Sequence, residues 1–301
     1  MEHGSARVFD QVKLTPEDLV VPFDTTRPDR LSAVFDQYGA AILRGVLPTE
    51  IIAECRDALR LLIRRRLESL GHRWAESADL DATFDQLCAI NRSHGGEIYG
   101  VAPDLPVYQR IVAHPNLVST VSKLMAVEFL QLPFYIGNLR IDRPGEDAFL
   151  FDWHQEYTFN LLALNAITAI IPLTDITKDM GAVACIPGSH REIAKVSINA
   201  PDFASGGGRG GYIFSVARNR DELEREAVIS PLRVGDALLL HCLTLHRSGY
   251  NSSTKNRWSI NPRYSDFFDQ ALVRRGWARG VRPGKILFGE VHPEKVVKAE
   301  G

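Results

Sequence analysis

The spacing of hydrophobic residues changes near residue 130. Before that point, apolar residues recur at three- and four-residue intervals, as on one face of an amphipathic helix. The segment 48–71 carries them at Ile51, Ile52, Cys55, Leu59, Leu62 and Ile63. Thr49 is predicted to cap this helix and Gly71 to stop it, and a second helix is predicted over 115–126. The first third of the chain is therefore predicted to be rich in helix.

The segments after residue 130 are short apolar runs divided by Pro, Gly and Asp, such as LNAITAIIPL and DALLLHCLTLHRSGY. Several short strands separated by turn residues predict a sandwich or barrel. Strands and helices do not alternate regularly, which disfavours a parallel doubly wound sheet. We expect a mainly β fold with flanking helices (α+β) in a single domain, 1–301, with a helix-rich part at about 1–129, a core at about 130–268 and a tail at 269–301.

The composition excludes several classes of partner. The chain has 301 residues, of which 35 are basic and 37 acidic, so its net charge of -2 offers no positive field to nucleic acid. The longest apolar stretch, 161–173, is too short to span a bilayer, and the first residues lack the layout of a secretory signal. Four cysteines without a CxxC pair suggest neither disulfides nor a thiolate zinc site. We expect a cytoplasmic protein with no nucleic-acid or membrane partner, and the oligomeric state stays open.

The segment FDWHQEYTF, 151–159, places His154 two residues before Glu156. On a strand, side chains two residues apart point to the same face. Completed by a distant histidine, such a pair forms the two-histidine one-carboxylate triad that holds Fe(II) and leaves positions open. The candidates for the third ligand are His190, His241 and His246.

The residues after His246, HRSGYNSSTKNRWS, favour that histidine as the third ligand. The stretch is predicted to be a strand, a turn at 251–253 and a second strand, which places His246 opposite Arg257 and Ser248 on the same face as His246. A metal-bound 2-oxoglutarate needs a guanidinium and a hydroxyl for its far carboxylate. We predict Fe(II) ligands His154, Glu156 and His246, and co-substrate contacts from Arg257 and Ser248. His241, five residues before His246, would face the other way.

Several ordered motifs resemble the phytanoyl-CoA dioxygenase family of Fe(II)/2-oxoglutarate oxygenases. They are WHQE at 153–156, PLTD at 172–175, PGSH at 187–190, and HRSGYN at 246–251 followed by Arg257. The resemblance spans roughly 30–268 and implies a double-stranded β-helix (jelly-roll, cupin-like) core. It also implies the same three iron ligands, Arg257 and Ser248 at 2-oxoglutarate, and Thr168 against that co-substrate. PGSH resembles a turn of the family, so His190 is not placed on the metal.

The resemblance implies a dioxygenase that uses Fe(II), 2-oxoglutarate and O2 to hydroxylate an aliphatic C–H bond of a small molecule, in secondary metabolism, with release of succinate and CO2. Glu156 stands where the family usually has aspartate. Halogenating relatives have a small residue there, so this carboxylate argues for oxygen insertion. Desaturation, cyclisation or epimerisation with the same cofactors stay open as outcomes.

Two alternatives of other classes also stay open. One is a non-catalytic metal-binding barrel, against which Arg257 and Ser248 argue, and the other is a zinc hydrolase that needs neither O2 nor 2-oxoglutarate. Three further residues are interpreted as structural, with contact to a substrate as the alternative: Arg140, Arg263 and Tyr135. The glycine-rich segment 205–214 is interpreted as a loop between strands, because it lacks the GK[ST] ending of a phosphate-binding loop.

Overall fold

The computed structural model describes residues 14–24, 28–132, 139–147, 149–198, 214–278, 281–282 and 285–297. Over these ranges the protein has the expected α+β combination, but it is not mainly β, because the helices hold more residues than the strands. Its helices are α1 Pro28–Tyr38, α2 Thr49–Ser69, α3 Leu80–Ile90, α4 Arg92–Val101, α5 Pro106–Val112, α6 Pro115–Met125, α7 Glu156–Asn160, α8 Arg220–Glu226, α9 Gln270–Arg274 and α10 Phe288–Val291. Short 3-10 helices lie at Pro16–Leu19, Ala102–Asp104, Ser189–Arg191 and Pro293–Lys295.

The strands are short, with a longest length of seven residues in β5. They are β1 Val20–Pro22, β2 Ala40–Arg44, β3 Leu130–Gln131, β4 Leu139–Asp142, β5 Ala166–Pro172, β6 Ala184–Cys185, β7 Val196–Ile198, β8 Phe214–Val216, β9 Val228–Ile229, β10 Ala237–His241, β11 His246–Arg247, β12 Arg257–Ile260, β13 Arg263–Asp266, β14 Val281–Arg282, β15 Lys285–Ile286 and β16 Val296–Val297.

The helix predictions hold for α2 and α6, with one error at a cap. The α2 helix begins at Thr49 itself, and its N-cap is Pro48, which makes no side-chain capping bond. Gly71, with a φ of +78°, follows the helix end and takes the left-handed conformation that favours glycine. The buried face of α2 carries Ile52, Cys55, Leu59, Ile63 and Leu67, so the predicted periodicity marks the side that enters the core.

The main sheet has the strand order β1-β2-β10-β5-β12-β4, with β13 also paired to β5 and to β3. A second sheet has the order β11-β6-β9, and a third consists of β16, β7 and β8. The strands β1 and β2 come from the helix-rich first third, yet β2 pairs directly with β10. The tail is also tied to the centre of the chain, because β16 pairs with β7.

Alternate residues of the central strands enter two different cores. On β10, Ala237 and Leu239 pack with the helices, whereas Leu238 and Leu240 pack with Cys185 of the second sheet. Because side chains alternate along a strand, the main sheet is covered by helices on one face and by the second sheet on the other. On β5, Thr168 lies two residues before Ile170 and so points to the same face, and Ile170 belongs to the core between the sheets. That face is where polar residues meet.

The predicted hairpin between His246 and Arg257 is wrong. His246 pairs with Cys185 on the second sheet, whereas Arg257 pairs with Asp142 on the main sheet. Asn251 fixes the connection between them, since its Nδ2 donates to the distant carbonyl of Asp142 and to the local carbonyl of Lys255, both at 2.8 Å. The chain between His246 and Arg257 therefore crosses from one sheet to the other.

The same crossing is held by a close approach of two backbones. A Cβ on Gly181, whose φ is +79°, would lie 2.4 Å from the carbonyl oxygen of Gly249. Only glycine fits at this point. In the described part of the chain, no helix has the length and apolar character needed to cross a membrane.

Candidate active site

The chain around His154 is extended and then turns into a short helix. His154 forms an isolated bridge with His246, with both N–O distances 3.0 Å, and Glu156 is the first residue of α7. The prediction of a strand through Glu156 is therefore wrong. Gln155, with φ -109° and ψ 134°, is extended, so the side chains on either side of it still point the same way.

His154, Glu156 and His246 meet in the buried interior. The Oε1 atom of Glu156 lies 3.7 Å from the Nε2 atoms of both histidines. Among the residues that the structure describes, this is the one group of at least three His, Cys, Asp or Glu whose potential ligand atoms lie within 4.8 Å of one another. The three residue types and their number match a facial Fe(II) site.

Backbone carbonyls fix the orientation of both imidazoles. The Nδ1 of His154 donates to the carbonyl of Asp152 at 2.6 Å, and that of His246 donates to the carbonyl of Thr244 at 2.8 Å. Since a carbonyl can only accept, Nδ1 carries a proton in both rings, and Nε2 is the ring nitrogen that lies toward Glu156. This outer hydrogen bond is the one that orients metal-binding histidines.

The protonation states suit a metal ligand set. Burial lowers the pKa of His154, and the neighbouring His246 lowers it further, so His154 is neutral. Burial by itself raises the pKa of Glu156, but Arg263 and the two imidazoles outweigh it and hold that pKa well below its usual value. Glu156 is therefore ionised, and a divalent cation would find a carboxylate and an unprotonated His154.

Arg263 is the main partner of Glu156, and this pairing was not predicted from the sequence. Its Nη2 donates to Oε1 at 2.7 Å and its Nε to Oε2 at 3.0 Å, while Asn160 Nδ2 donates to Oε2 at 2.7 Å. Arg263 lies on β13 opposite Thr168 of β5. No local pattern links Arg263 to a residue so far away in sequence. Charge alone could have indicated the pairing, because a buried carboxylate needs a cationic partner.

Arg257 does not face His246 but lies beside Asp142. Its Nε and Nη2 donate to Asp142 Oδ2 at 3.0 and 2.6 Å, and Arg140 donates to both oxygens of the same carboxylate at 3.0 and 2.8 Å. Burial raises the pKa of Asp142, but the two guanidiniums outweigh it and lower that pKa. Within the described ranges, Arg257 Nη1 is buried without a hydrogen-bond partner.

A small cavity of about 60 Å³ is lined by every predicted site residue. These are His154, Glu156, Thr168, His246, Ser248 and Arg257. Four of its lining residues each have one buried polar atom that lacks a hydrogen-bond partner in the described part of the chain: Arg257 (Nη1), Thr168 (Oγ1), Ser230 (Oγ) and Asn261 (Oδ1). Because buried polar atoms are normally paired, these four atoms indicate a cavity built for a polar ligand.

The other histidine candidates lie elsewhere. His241 ends β10, its Nδ1 accepts from the backbone N–H of Leu243, and its ring lies 5.5 Å from that of His190. Burial, together with His190, lowers the pKa of His241 to about 4. Neither belongs to the group around Glu156. Tyr135 and most of the glycine-rich segment 205–214 lie outside the described residues.

Comparison with known proteins agrees with this chemistry. Residues 35–259 match the family Phytanoyl-CoA dioxygenase (PhyH). The 1-deoxypentalenic acid 11-beta-hydroxylase of Streptomyces arenae is 24% identical over 232 residues, or 75% of each chain. The ectoine dioxygenase of Halomonas elongata is 26% identical over 215 residues, which are 67% of this chain and 61% of that enzyme.

A solved structure shares the fold. The epimerase SnoN, in complex with Fe3+, alpha ketoglutarate and nogalamycin RO, superposes with a TM-score of 0.54 at 21% identity, covering 81% of this chain and 85% of that chain. The family match covers well over half of the sequence and includes His154, Glu156, His246 and Arg257. The chain therefore belongs to the phytanoyl-CoA dioxygenase family of Fe(II)- and 2-oxoglutarate-dependent oxygenases.

Proposed function

We propose that this protein is an Fe(II)- and 2-oxoglutarate-dependent dioxygenase that hydroxylates an aliphatic C–H bond of a small molecule and releases succinate and CO2. The observation that carries the proposal is one cavity in which a His–Glu–His group lies together with the unpartnered Nη1 of Arg257. A metal-binding barrel without activity needs no such buried cation. The two facing sheets support a double-stranded β-helix core within a single domain spanning 1–301.

His154, Glu156 and His246 are proposed to hold the iron, with Nε2 of each imidazole as the ligand atom. The hydrogen bonds from Nδ1 to the carbonyls of Asp152 and Thr244 keep both rings in place. The ionised Glu156 balances part of the metal charge. When bound, iron and 2-oxoglutarate together supply the activation of O2 that oxidises an unactivated C–H bond.

The co-substrate is proposed to lie with its far carboxylate against Arg257. The Asp142 carboxylate holds Nε and Nη2 of Arg257, which leaves Nη1 to bind the ligand. Thr168 offers a buried, unpartnered hydroxyl on the same cavity wall, within the described residues. Ser248 lines the cavity as well, and its Oγ accepts from the backbone N–H of Phe151 at 3.4 Å. Hydrogen bonds from such donors would offset the cost of removing the carboxylate from water.

Oxygen insertion is proposed in preference to halogenation. The buried negative charge of Glu156 repels a second anion next to the metal. Desaturation, cyclisation and epimerisation remain the alternative outcomes with the same cofactors, and the structurally similar SnoN is itself an epimerase. The names of the relatives, which include a hydroxylase of 1-deoxypentalenic acid, support a role in secondary metabolism.

The test supplies Fe(II), 2-oxoglutarate and 18O-labelled O2 with a panel of small metabolites and follows succinate by mass spectrometry. The expected product carries 18O, and loss of two hydrogens would instead indicate desaturation or ring closure. A chlorinated product in the presence of chloride would contradict the role given to Glu156. Failure to consume 2-oxoglutarate with every substrate would favour a non-catalytic metal protein, and turnover without O2 or 2-oxoglutarate would favour a hydrolase.

A further inference from the structure

A second, larger cavity adjoins the small one. Its volume is about 450 Å³, and it lies beside α4, β4 and the segment 149–151. The two cavities share Arg140, Phe151, Asn261 and Arg263 on their linings. The Phe151 ring is 5.5 Å from the ring of His154, and Arg263 is bonded to Glu156. The larger cavity therefore lies next to the His–Glu–His group, with Phe151 and Arg263 on the part of its lining that is nearest to that group.

The wall of the larger cavity is mainly apolar and aromatic. It is formed by Tyr99, Leu139, Ile141, Phe149 and Phe151. The guanidinium of Arg92 lies over the Phe149 ring at 5.1 Å, and that of Arg140 lies over the Phe151 ring at 5.0 Å. These stacks hold the planar groups in place. The result is a pocket with flat aromatic surfaces that suit ring systems, and its size falls in the range of small-molecule sites.

The arginines that line this cavity are each paired with a carboxylate. Arg92 donates to both oxygens of Glu146 at 2.9 and 2.8 Å, Arg140 is bound to Asp142, and Arg263 is bound to Glu156. Among the described lining residues, no cation is therefore left over for a polyphosphate. This disfavours a coenzyme A thioester. A small zwitterion is disfavoured too, because it would leave most of the apolar wall in contact with water.

One polar atom remains without a partner at the junction of the two cavities. The Oδ1 of Asn261 is buried and lacks a hydrogen bond within the described ranges, and Asn261 lines both cavities. An acceptor in this position requires a donor, such as a hydroxyl, on the bound molecule. A ligand bound there would have its hydroxyl at Asn261 and its apolar body against the aromatic wall.

We propose that the larger cavity is the substrate compartment and that its substrate is a compact, ring-bearing and largely apolar molecule with a hydroxyl near the carbon that is oxidised. That the bound molecule is a substrate rests on the proposed oxygenase function, whereas the preference of the larger cavity for such a molecule does not. The neutral cage alcohol 1-adamantanol has this chemistry and carries no carboxylate that Arg257 would attract. It is the probe for the test.

Two glycines of α4 provide a matched pair of variants. Gly96 lines the larger cavity, and a Cβ built on it meets no heavy atom within 4 Å. Gly100 on the same helix has the same open surroundings, but it lies on neither of the two cavities in the described structure. Gly96→Trp therefore places an indole at the compartment, whereas Gly100→Trp makes the same exchange away from it.

The experiment titrates metal-free wild type, Gly96→Trp and Gly100→Trp with 1-adamantanol by calorimetry, with glycine betaine and acetyl-coenzyme A as comparison probes. We expect saturable binding of 1-adamantanol to wild type, a loss of about tenfold or more in Gly96→Trp, and no change in Gly100→Trp. Tighter binding of either comparison probe to wild type, or no binding of 1-adamantanol, would overturn the inference even if the Gly96 variant did not fold.

Equal affinity of Gly96→Trp and Gly100→Trp for 1-adamantanol would also overturn the inference. Because the titration needs neither iron nor 2-oxoglutarate, a protein that binds 1-adamantanol as expected but never forms succinate would refute the proposed function alone. Conversely, succinate formation driven by a small zwitterion, and unaffected by Gly96→Trp, would refute the substrate class and leave the oxygenase function standing.

Discussion

Arg257 donates two hydrogen bonds to a single oxygen of Asp142, and each of the two side chains is only 3% exposed. Arg140 binds the same carboxylate from β4, so Asp142 lies between two guanidiniums. This arrangement sets the position of Arg257 before any ligand arrives. A ligand that binds Nη1 would not have to order a long flexible side chain, and that entropic cost is removed from its binding free energy.

Replacing Arg257 with alanine is expected to weaken 2-oxoglutarate binding strongly. Removing one partner of a buried ion pair costs about 3–5 kcal/mol, or roughly two to three orders of magnitude in affinity. Calorimetric titration of the Co(II)-loaded protein measures this loss, and Co(II) affinity itself should stay nearly unchanged. Arg247→Ala is the matched control, because Arg247 lines the same cavity but is bound to Glu224 at 2.9 and 2.7 Å. An unchanged 2-oxoglutarate titration in Arg257→Ala would show that the assignment is wrong.

Asp142→Asn is expected to destabilise the protein at neutral pH and to alter its response to acid. The folded pKa of Asp142 is lowered because Arg140 and Arg257 outweigh burial. The stabilisation it provides is therefore present above the unfolded value of about 3.9 and is lost as the pH falls through the folded pKa. The free energy of unfolding of the variant should be lower than that of wild type by about 3–5 kcal/mol at pH 7, and this difference should become smaller in acid.

Urea unfolding of both proteins between neutral and acidic pH tests this expectation. Curves of unfolding free energy that run parallel down to the lowest pH would contradict the role of Asp142 as a buried, ionised partner of Arg257.

Metal binding is expected to depend on His246 and not on His241. His246 Nε2 faces Glu156, whereas His241 packs against His190. His246→Ala should abolish stoichiometric Co(II) binding, and His241→Ala should retain one Co(II) per chain. Equilibrium dialysis with metal analysis distinguishes the two variants. Loss of metal from His241→Ala together with retention by His246→Ala would reverse the choice of the third ligand.

Arg263→Met is expected to destabilise the metal-free protein, because Glu156 keeps its buried charge but loses its guanidinium partner. The cost of such a loss is about 3–5 kcal/mol. A divalent cation supplies the missing positive charge, so added Co(II) should raise the thermal midpoint of the variant more than that of wild type. Arg275→Met is a suitable control, since Arg275 Nη2 donates to the Leu161 carbonyl at 2.8 Å.

An equal rise in the thermal midpoint for wild type and Arg263→Met would indicate that Arg263 does not take the place of a cation at Glu156.

The His–Glu–His group could be predicted from sequence because its geometry tolerates an error in secondary structure. Two residues separated by one extended residue share a face whether the second ends a strand or begins a helix. Glu156 begins a helix, and its side chain still points toward the same site as that of His154. His246 was chosen because a hairpin was predicted to place it opposite Arg257; that hairpin is wrong, yet His246 does lie with His154 and Glu156.

The neighbours of those three residues could not be predicted in the same way. The predicted hairpin required a local turn after His246, whereas contacts of Asn251 with Asp142 and of Gly249 with Gly181 direct the chain to the other sheet. Such contacts join residues far apart in sequence and leave no periodic signal. The pairing of Arg263 with Glu156 was missed for the same reason.

The position of β10 in the main sheet also bears on when the His–Glu–His group can form during synthesis. This strand pairs with β2 on one side and with β5 on the other, and the chain must be made as far as Leu240 before it can join them. Domains emerge from the ribosome N-terminus first, and non-local pairings form late. His246 comes five residues after His241, the last residue of β10. The nascent chain therefore lacks a complete His–Glu–His group until all the strands of the central pairing β2-β10-β5 have been made.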